Sequence, residues 1–600
     1  MTRRVLITLL VVLSCQESNA PSGPPPDVSG AWAFGQRLTA AGGLSCANRG
    51  TVTITQTASS FTATYAQTGQ CTGPGGASDN SSSGDIADGR LTGPAVRFSI
   101  PGCSYSGTVV GDPPDGASGS VTCQISVGGP PVRFSGTWHV SHGAAAVSLT
   151  PSSAFLGTDA TVPFTATAYD AAGNVLANRA IVWRSPNPTI ATATNGDVHA
   201  IAPGFATITA TSVPLLPLED SVSGVAGVQV MTRAVSVAGG YLHTCAVLAS
   251  ATSVCWGAGF DGRLGNGTTD HPVETPRVVS GTFAQVSGGF QHSCGTTSTG
   301  SASCWGKELS GELGDGVSSA TRLAPVPVSG SLSFASVSAG NSFSCGVTTT
   351  GAGYCWGTGM NGRLGNGGLA DDSTPVPVNG GLTFATISTS RDAELQPVSD
   401  GFACGLTTTG TAYCWGRDGE GELGDNGSLD QRAPVPVAGG HTFATLSVGA
   451  RHACAVTANG AAFCWGKGTS GQLGNGAAAG SNVPVPVSAG GGGGGLVFSA
   501  IAAGGAHTCG VTTGGDAYCW GGNGLGQLGT GVFAPDFSPP QTTPVAVIGG
   551  LKFVALGAGV AHTCGITTVG VIYCWGRGMD GQLGSGGVAN KAAPAPVLVP

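Results

Sequence analysis

One short pattern recurs seven times between Ala234 and Pro600, and it constrains the fold more than any other feature of the chain. Each copy ends in Cys-Trp-Gly and has a second cysteine ten positions earlier, as in Cys345 and Cys355. Successive copies lie 49 to 59 residues apart, which is a typical period of propeller and solenoid repeats. The stretch between the two cysteines is rich in Val, Thr and Tyr, and it therefore predicts the two strands of a β-hairpin.

The spacing of the cysteines also predicts the loop of each hairpin. A three-residue loop in which Thr348 faces Ala352 makes Cys345 face Cys355. The third loop residue then needs a left-handed backbone, which suits glycine, and six of the seven copies have glycine there while the first has Ala251. Facing residues of antiparallel strands lie close enough for a disulfide. We therefore predict seven disulfides within hairpins: Cys245–Cys255, Cys294–Cys304, Cys345–Cys355, Cys404–Cys414, Cys454–Cys464, Cys509–Cys519 and Cys564–Cys574.

A turn and a proline-containing strand follow each hairpin, as in Gly362 to Gly367 and then Pro375 to Val378. Proline cannot donate to a strand ladder, so this strand belongs at the edge of its sheet. Each unit also has an inner strand such as Phe334 to Val337, which gives three or four strands per unit. The fold class is therefore all-β, with a seven-bladed β-propeller at 234–600. To close the ring, we expect Pro594 to Val597 to supply the edge strand of the blade that holds Cys245 and Cys255.

These motifs resemble the regulator of chromosome condensation repeat, whose fold is a seven-bladed propeller. The resemblance is carried by phrases such as Ser447-Val-Gly-Ala-Arg-His-Ala-Cys454, Cys464-Trp-Gly466 and Gly471-Gln-Leu-Gly474, and it spans residues 234–600. The paired cysteines depart from the eukaryotic pattern and resemble an exported bacterial version of the repeat.

The N-terminus predicts export. Arg3 and Arg4 precede an apolar run from Val5 to Leu13, which is too short to span a bilayer but is typical of a signal peptide. Val12-Leu-Ser-Cys15 resembles a bacterial lipobox, so we expect residues 1–15 to be a lipoprotein signal that ends at a lipidated Cys15. Ordinary secretion with cleavage nearby is the alternative. The 19 cysteines agree with an oxidising compartment.

Two domains are predicted between the signal and the repeats. Residues 16–27 contain three consecutive prolines and predict a tether. Residues 28–140 predict a small β-barrel or sandwich whose first and last strands meet, because similar Trp-containing phrases open and close it. We favour a filled core over a ligand cavity there. Its four cysteines allow three pairings, of which we expect the sequential one: Cys46–Cys71 and Cys103–Cys123.

Residues 144–230 resemble a bacterial immunoglobulin-like domain of group 2. The matching phrases include Ala168-Tyr-Asp170, Val182-Trp-Arg-Ser185 and Ala202 to Ala210. The resemblance implies a β-sandwich that acts as a surface spacer, with Trp183 in its core.

Composition and motifs argue against several function classes. The net charge is −8 and the 23 basic residues are spread thinly, so we expect no nucleic-acid binding. The Gly-x-Gly-x-x-Gly pattern at Gly357 lies between a hairpin and a turn rather than before a helix, so it does not predict a nucleotide site. No acid/base constellation supports catalysis. We therefore predict no enzymatic activity and no cofactor.

Histidine precedes the first hairpin cysteine by two residues in five copies. The other two copies have Phe343 and Phe402 at this position. A position that accepts either ring predicts packing between blades rather than a metal site, and the cysteine spacing is unlike that of compact zinc sites. The five histidines are His243, His292, His452, His507 and His562.

The fourth copy carries nine extra residues between Ile387 and Cys404, with a concentration of charge in a charge-poor chain. Loops on a rigid scaffold often carry binding function, although a solvated insertion is the alternative. Two further insertions, Gly490 to Gly495 and Val532 to Pro540, are interpreted as flexible or packed loops. The candidate partner contacts of the fourth copy are Arg391, Asp392, Glu394 and Asp400.

We therefore expect a monomeric, exported lipoprotein at the outer membrane or cell surface, which touches the membrane through its lipid alone. Its propeller would bind a protein or a glycan. The eukaryotic family implies guanine-nucleotide exchange on a small GTPase as an alternative, although an exported chain would not meet a cytosolic GTPase. Inhibition of a secreted enzyme is another alternative, since the β-lactamase inhibitory protein II has this propeller type. Fold alone does not decide among these functions.

Overall fold

The computed structural model describes residues 30–599, apart from 41–44, 58–59, 74–75, 93–94, 101–102, 111–115, 126–131, 142–143, 172, 178, 215–219, 392–400, 489–494 and 535–537. The predicted signal peptide with Cys15, the tether, and the candidate contacts Asp392, Glu394 and Asp400 lie outside the described residues. Within the described residues, no helix has the length and apolar character needed to cross a membrane.

The first domain is a closed antiparallel barrel in which each strand pairs with its neighbour in sequence and the last pairs with the first. Buried side chains such as Ile86 and Tyr105 fill part of its interior. Cys103 and Cys123 form a disulfide, as predicted, and the backbone register places Cys46 opposite Cys71. The strands are β1 (Gly30–Ala40), β2 (Ser45–Thr57), β3 (Ser60–Gly73), β4 (Gly76–Thr92), β5 (Ala95–Ile100), β6 (Cys103–Val110), β7 (Gly116–Ile125) and β8 (Val132–Ser141).

The second domain contains three small sheets, with strand orders β10-β17-β16-β13, β11-β15-β14 and β12-β9. Trp183 is only half-buried, which corrects the expected core position, because it lies on the edge strand β13. The strands are β9 (Ala146–Thr150), β10 (Ser153–Gly157), β11 (Thr161–Pro163), β12 (Thr165–Tyr169), β13 (Ile181–Arg184), β14 (Ala191–Thr194), β15 (Asp197–Ala200), β16 (Gly204–Ser212) and β17 (Ser223–Met231).

From Ala234 onward, the described residues form seven four-stranded antiparallel sheets, each built from consecutive strands. This arrangement confirms the all-β propeller prediction. In order, the sheets are β18–β21 (Ala234–Gly239, His243–Leu248, Thr252–Gly257, Val273–Thr282), β22–β25 (Gln285–Gly288, His292–Thr296, Ala302–Glu308, Ala320–Pro327), β26–β29 (Phe334–Ala339, Phe343–Thr348, Gly353–Gly357, Asp372–Pro377), β30–β33 (Phe384–Thr389, Phe402–Thr407, Ala412–Gly416, Gln431–Pro436), β34–β37 (Phe443–Val448, His452–Thr457, Ala462–Gly466, Ser481–Pro486), β38–β41 (Phe498–Ala503, His507–Thr512, Ala517–Gly521, Gln541–Ala546) and β42–β45 (Phe553–Ala558, His562–Thr567, Ile572–Gly576, Lys591–Pro596).

The hairpins have the predicted geometry. The Thr348 N–H donates to the Ala352 carbonyl at 2.9 Å, and Gly351 has a φ of 88°. Ala251 takes the same left-handed backbone, with a φ of 62°. All seven predicted cystines form within their hairpins. The proline strand lies at the sheet edge in each case, as predicted.

The predicted exchange of a strand between the first and last sheets is wrong. Lys591–Pro596 pairs with Ile572–Gly576 in its own sheet, and the first sheet takes its fourth strand from Val273–Thr282. The reason is that each repeat begins with its inner strand, so its proline strand follows its own hairpin across one turn. No strand is left over for another sheet.

A circle of backbone hydrogen bonds closes the ring instead. Each inner-strand loop donates an N–H to a carbonyl of the next sheet, and the seventh sheet donates from Val560 to Gly240 of the first at 3.2 Å. The other six bonds are Tyr241 to Gly289, Phe290 to Gly340, Asn341 to Ser390, Arg391 to Gly449, Ala450 to Gly504 and Gly505 to Val560.

A second set of contacts joins neighbouring sheets through tryptophan. The indole N–H of each Cys-Trp-Gly motif donates to a carbonyl in the Gly-x-Leu-Gly turn of the preceding sheet, as from Trp415 to Arg363 at 3.0 Å. The last glycine of that turn lies against the same indole, because a Cβ at Gly365 would meet the Trp415 Nε1 at 2.8 Å. All seven indoles are fully buried and make this bond.

Candidate binding face of the propeller

The two ends of each sheet carry different loops. Because the strands alternate in direction, the loop after the first strand and the loop after the third strand emerge at the same end, which we call the long-loop face. The hairpin loops emerge at the opposite end, the hairpin face. The hairpin face carries exposed small residues such as Ser250, Thr349, Thr408 and Asn459. Arg391, which follows the inner strand Phe384–Thr389 of the fourth sheet, lies on the long-loop face.

The first residues of the inner loops surround the propeller axis on the long-loop face. Tyr241 and Phe290 stack there with ring centroids 4.6 Å apart. Arg391 occupies the equivalent position in the fourth sheet, and its Nε donates to the Ala339 carbonyl at 3.4 Å. Burial lowers the pKa of Arg391 to about 10. Of the four candidate partner contacts, Arg391 is the one within the described residues, and it lies at the axis.

Two arginines from Gly-x-Leu-Gly turns support this axial region. The Arg263 guanidinium donates to the Phe290 carbonyl at 3.0 Å and to the Asp261 carboxylate at 2.9 Å. Arg363 donates to the Asn341 carbonyl at 3.3 Å and lies 5.7 Å from the ring centroid of Phe343. Both side chains therefore have structural partners and hold the loops around the axis.

The predicted junction histidines are buried between neighbouring sheets. Each Nε2 contacts the hydroxyl of the residue immediately before the first hairpin cysteine of the next sheet, as His452 does with Thr508 at 2.8 Å. The same hydroxyl donates to a turn carbonyl, as Thr508 does to Gln472 at 2.9 Å. A hydroxyl has one proton, so Nε2 must donate and Nδ1 is the bare nitrogen. The other pairs are His243–Ser293, His292–Ser344, His507–Thr563 and His562–Thr244.

This network leaves the imidazoles neutral. Burial lowers the pKa of His452 and His562 to about 3 and that of His507 to about 4. The Nδ1 atoms of all three have no hydrogen-bond partner among the described residues. In the part of the chain that the structure describes, no three His, Cys, Asp or Glu side chains are grouped to hold a metal ion.

Two buried carboxyl groups occupy one equivalent position after the hairpin. Glu308 and Asp418 accept the backbone N–H of Leu313 and Leu423 at 3.3 and 2.9 Å, respectively. Desolvation raises the pKa of Glu308 to about 7 and that of Asp418 to about 6. These hydrogen bonds to Glu308 and Asp418 hold the Gly-x-Leu-Gly turn in place, which is a structural role.

The long-loop face also carries a row of exposed apolar side chains that sequence reasoning missed. Phe260, Leu309, Met360 and Met579 stand at one equivalent position and are 45%, 50%, 44% and 57% exposed, respectively. They belong to the first, second, third and seventh sheets, which are consecutive around the closed ring. We call these four residues the apolar arc. A sequence pattern could have identified the apolar arc, since each of its four residues lies five positions after the cysteine of Cys-Trp-Gly.

Family models match both the repeats and the preceding domain. Residues 398–422, 443–472 and 498–527 match one model of the regulator of chromosome condensation repeat, and residues 459–511 and 570–600 match another. The chain contains regulator of chromosome condensation repeats. Residues 144–213, which precede these repeats, match the bacterial Ig-like domain of group 2.

Several known proteins are similar to part of the chain. The ultraviolet-B receptor UVR8 of Arabidopsis thaliana is 28% identical over 260 residues, which cover 43% of this chain and 56% of the receptor. The chain therefore spans little more than half the length of this relative. Crystal structures of human WBSCR16 and of yeast RCC1 (Prp20) bound to Kap60 each match with a TM-score of 0.50 and cover 57% of this chain, and 93% and 83% of their own, respectively. At identities of 19% and 20%, these structural matches show a likeness of fold alone.

Proposed function

We propose that the chain is a non-enzymatic, exported lipoprotein whose repeat propeller binds a protein partner through the long-loop face. The apolar arc carries this proposal. Four large apolar side chains at equivalent positions of consecutive sheets remain about half exposed, and we take this repeated exposure of apolar surface as the mark of an interaction site. A protein partner is favoured over a glycan at the arc because Phe, Leu and Met side chains gain most by burial against other apolar side chains.

The contrast between the two faces supports the choice of surface. The tips of the hairpin loops carry residues such as Ser, Thr and Asn, which offer little apolar area. Arg391 adds a cationic side chain to the long-loop face near the axis. A partner seated there would meet apolar contacts in the arc and polar contacts toward the fourth sheet.

The proposed location rests on the cystines and on the Ig-like domain. Disulfides persist in oxidising compartments, and all seven hairpins of the propeller contain one. Fractionation of the native host after labelling with radioactive palmitate tests the anchor at Cys15, and a count of free thiols tests the compartment. Reduced, unlabelled protein in the cytoplasm would contradict the export proposal.

The binding proposal is tested by partner capture at the cell surface. The full-length chain is cross-linked on intact cells, and bound proteins are identified by mass spectrometry. The double variant Leu309→Ser, Met360→Ser removes two arc side chains that are already exposed, so folding should be unaffected while the captured protein is lost. The matched control, Thr349→Ala with Thr408→Ala on the hairpin face, should retain it. Equal capture by both variants would refute the proposed surface.

A further inference from the structure

A cavity of about 660 Å³ opens on the long-loop face between the fifth and sixth sheets. The fifth sheet contributes Thr469 and Ser470, and the sixth sheet contributes the remaining walls. Every described residue that lines the cavity is uncharged. Its volume lies within the range of roughly 300–1,000 Å³ that is usual for small-molecule sites.

The sixth sheet forms this cavity with residues that its neighbours lack. Sixteen positions separate Leu528 from Pro544, whereas eleven separate Leu473 from Pro484 in the fifth sheet. The extra residues belong to the insertion at Val532 to Pro540, which the sequence alone suggested was a flexible or packed loop. Most of its described residues line the cavity.

Asn523 holds the insertion with hydrogen bonds from both its side chain and its backbone. Its side-chain amide donates to the Val532 carbonyl at 3.0 Å, and its backbone carbonyl accepts the Ala534 N–H at 3.0 Å. Its Oδ1 accepts the Leu528 N–H at 3.1 Å. Asn523 stands where four other repeats have glycine, so the repeat that carries the insertion also carries the side chain that holds it.

Phe533, between the two anchored residues, provides a fixed aromatic surface. Its ring packs on Gly526, where a Cβ would lie 2.9 Å from the ring Cε1, yet the side chain is 47% exposed. Hydroxyl and amide groups of Ser470, Ser538 and Gln541 also line the cavity.

We propose that this cavity binds a neutral saccharide. An aromatic ring can stack on the apolar C–H face of a pyranose, and hydroxyl and amide groups can pair with the sugar hydroxyls. The described lining residues are uncharged and offer no ion pair to a charged ligand. This site lies outside the apolar arc, so it is a second binding activity that does not depend on the protein partner.

Isothermal titration calorimetry of the full-length chain with maltohexaose, cellohexaose, mannohexaose and chitohexaose tests the proposal. At least one should bind, and glucose, mannose and N-acetylglucosamine tested alone would show whether a single unit suffices. Phe533→Ala should lower the affinity at least about tenfold. Gly524→Trp should abolish binding, because a Cβ at Gly524 has nothing within 4 Å and the added ring would enter the open cavity.

Gly587→Trp is the matched control, since a Cβ there also has nothing within 4 Å and Gly587 does not line the cavity. It should bind saccharide like the unchanged chain. The Leu309→Ser, Met360→Ser variant should also retain saccharide binding while it loses the protein partner, which separates the two proposals. Binding of none of the neutral saccharides would overturn the inference, and so would equal binding by Gly524→Trp. Preferential binding of polygalacturonate, or of a neutral proline-rich peptide that Gly524→Trp blocks, would likewise refute the ligand class.

Discussion

The junction between the fifth and sixth sheets allows a direct test of the histidine network. Thr508 accepts the His452 Nε2–H at 2.8 Å and donates to the Gln472 carbonyl at 2.9 Å. The change Thr508→Ala removes both bonds and leaves the buried imidazole N–H without an acceptor. An unsatisfied buried donor costs about 1–3 kcal/mol, and the lost second bond adds about 1 kcal/mol. We expect the free energy of unfolding to fall by about 2–4 kcal/mol.

The second arm of the cycle is His452→Phe. The Thr508 hydroxyl then keeps its bond to Gln472, so the expected cost is about 1 kcal/mol. In the double variant the unpaired imidazole N–H is absent, and the junction has the Phe and Ala pair that this chain already uses at Phe343 with Ala403. The double variant should therefore lose less than the sum of the single variants, by about 1–3 kcal/mol.

Guanidinium unfolding followed by tryptophan fluorescence measures these differences, because each propeller sheet contains one fully buried tryptophan. The control combines His452→Phe with Thr563→Ala, which lies in the next junction and pairs with His507. Those two changes should be additive. Additivity within about 0.5 kcal/mol for His452→Phe with Thr508→Ala would refute the proposed hydrogen-bond assignment.

Three further predictions follow from buried groups and tight turns. Burial lowers the pKa of His292 to about 3, so its contribution to stability is complete above the unfolded value near 6.5 and falls as pH drops toward 3; unfolding midpoints that do not change between pH 7 and pH 4 would contradict this. Burial raises the pKa of Glu308 to about 7, so its stabilising contribution is complete below about 4.5 and is lost as pH rises through 7; Glu308→Gln should raise the thermal midpoint at pH 8 but not at pH 4, and an equal effect at both would refute the shift. Gly365→Ala should destabilise more than Gly381→Ala, since both have positive φ but only the first would contact Trp415; equal losses in thermal unfolding would exclude that contact as the cause.

Much of the propeller was predictable because its local chemistry repeats. The interval between Cys345 and Cys355, together with Gly351, determines the hairpin register and the cystine. Proline in the outer strand determines its edge position. These inferences depend on interactions between residues that lie within about a dozen positions of each other. Over so short a stretch, residues that are close in sequence are also close in space.

The contacts between repeats were harder to predict. The exchanged closing strand was wrong because sequence spacing does not reveal where a repeat begins within its sheet. The histidine partners lie 50 to 56 residues away or near the other end of the repeat region, and no local motif pairs them. A signal was nevertheless present: Phe343 and Phe402 are followed in the next repeats by Ala403 and Ala453, whereas every histidine is followed by Ser or Thr. Correlated change between repeats could therefore have identified the pairs.

The candidate site was the least predictable part for a related reason. Charge directed attention to the insertion of the fourth sheet, of which Arg391 is on the long-loop face, but the apolar arc and the described residues that line the cavity beside Phe533 carry no charge. What marks them in the sequence is a change of residue type between repeats at positions that the fold does not require to be the same. Every junction requires its tryptophan and its turn glycine, so these recur in all seven repeats. The position of Phe260 varies from Phe to Thr and Gly without altering any junction, and its large apolar residues fall in consecutive sheets. Under the proposed function, a partner that spans several sheets would account for that clustering.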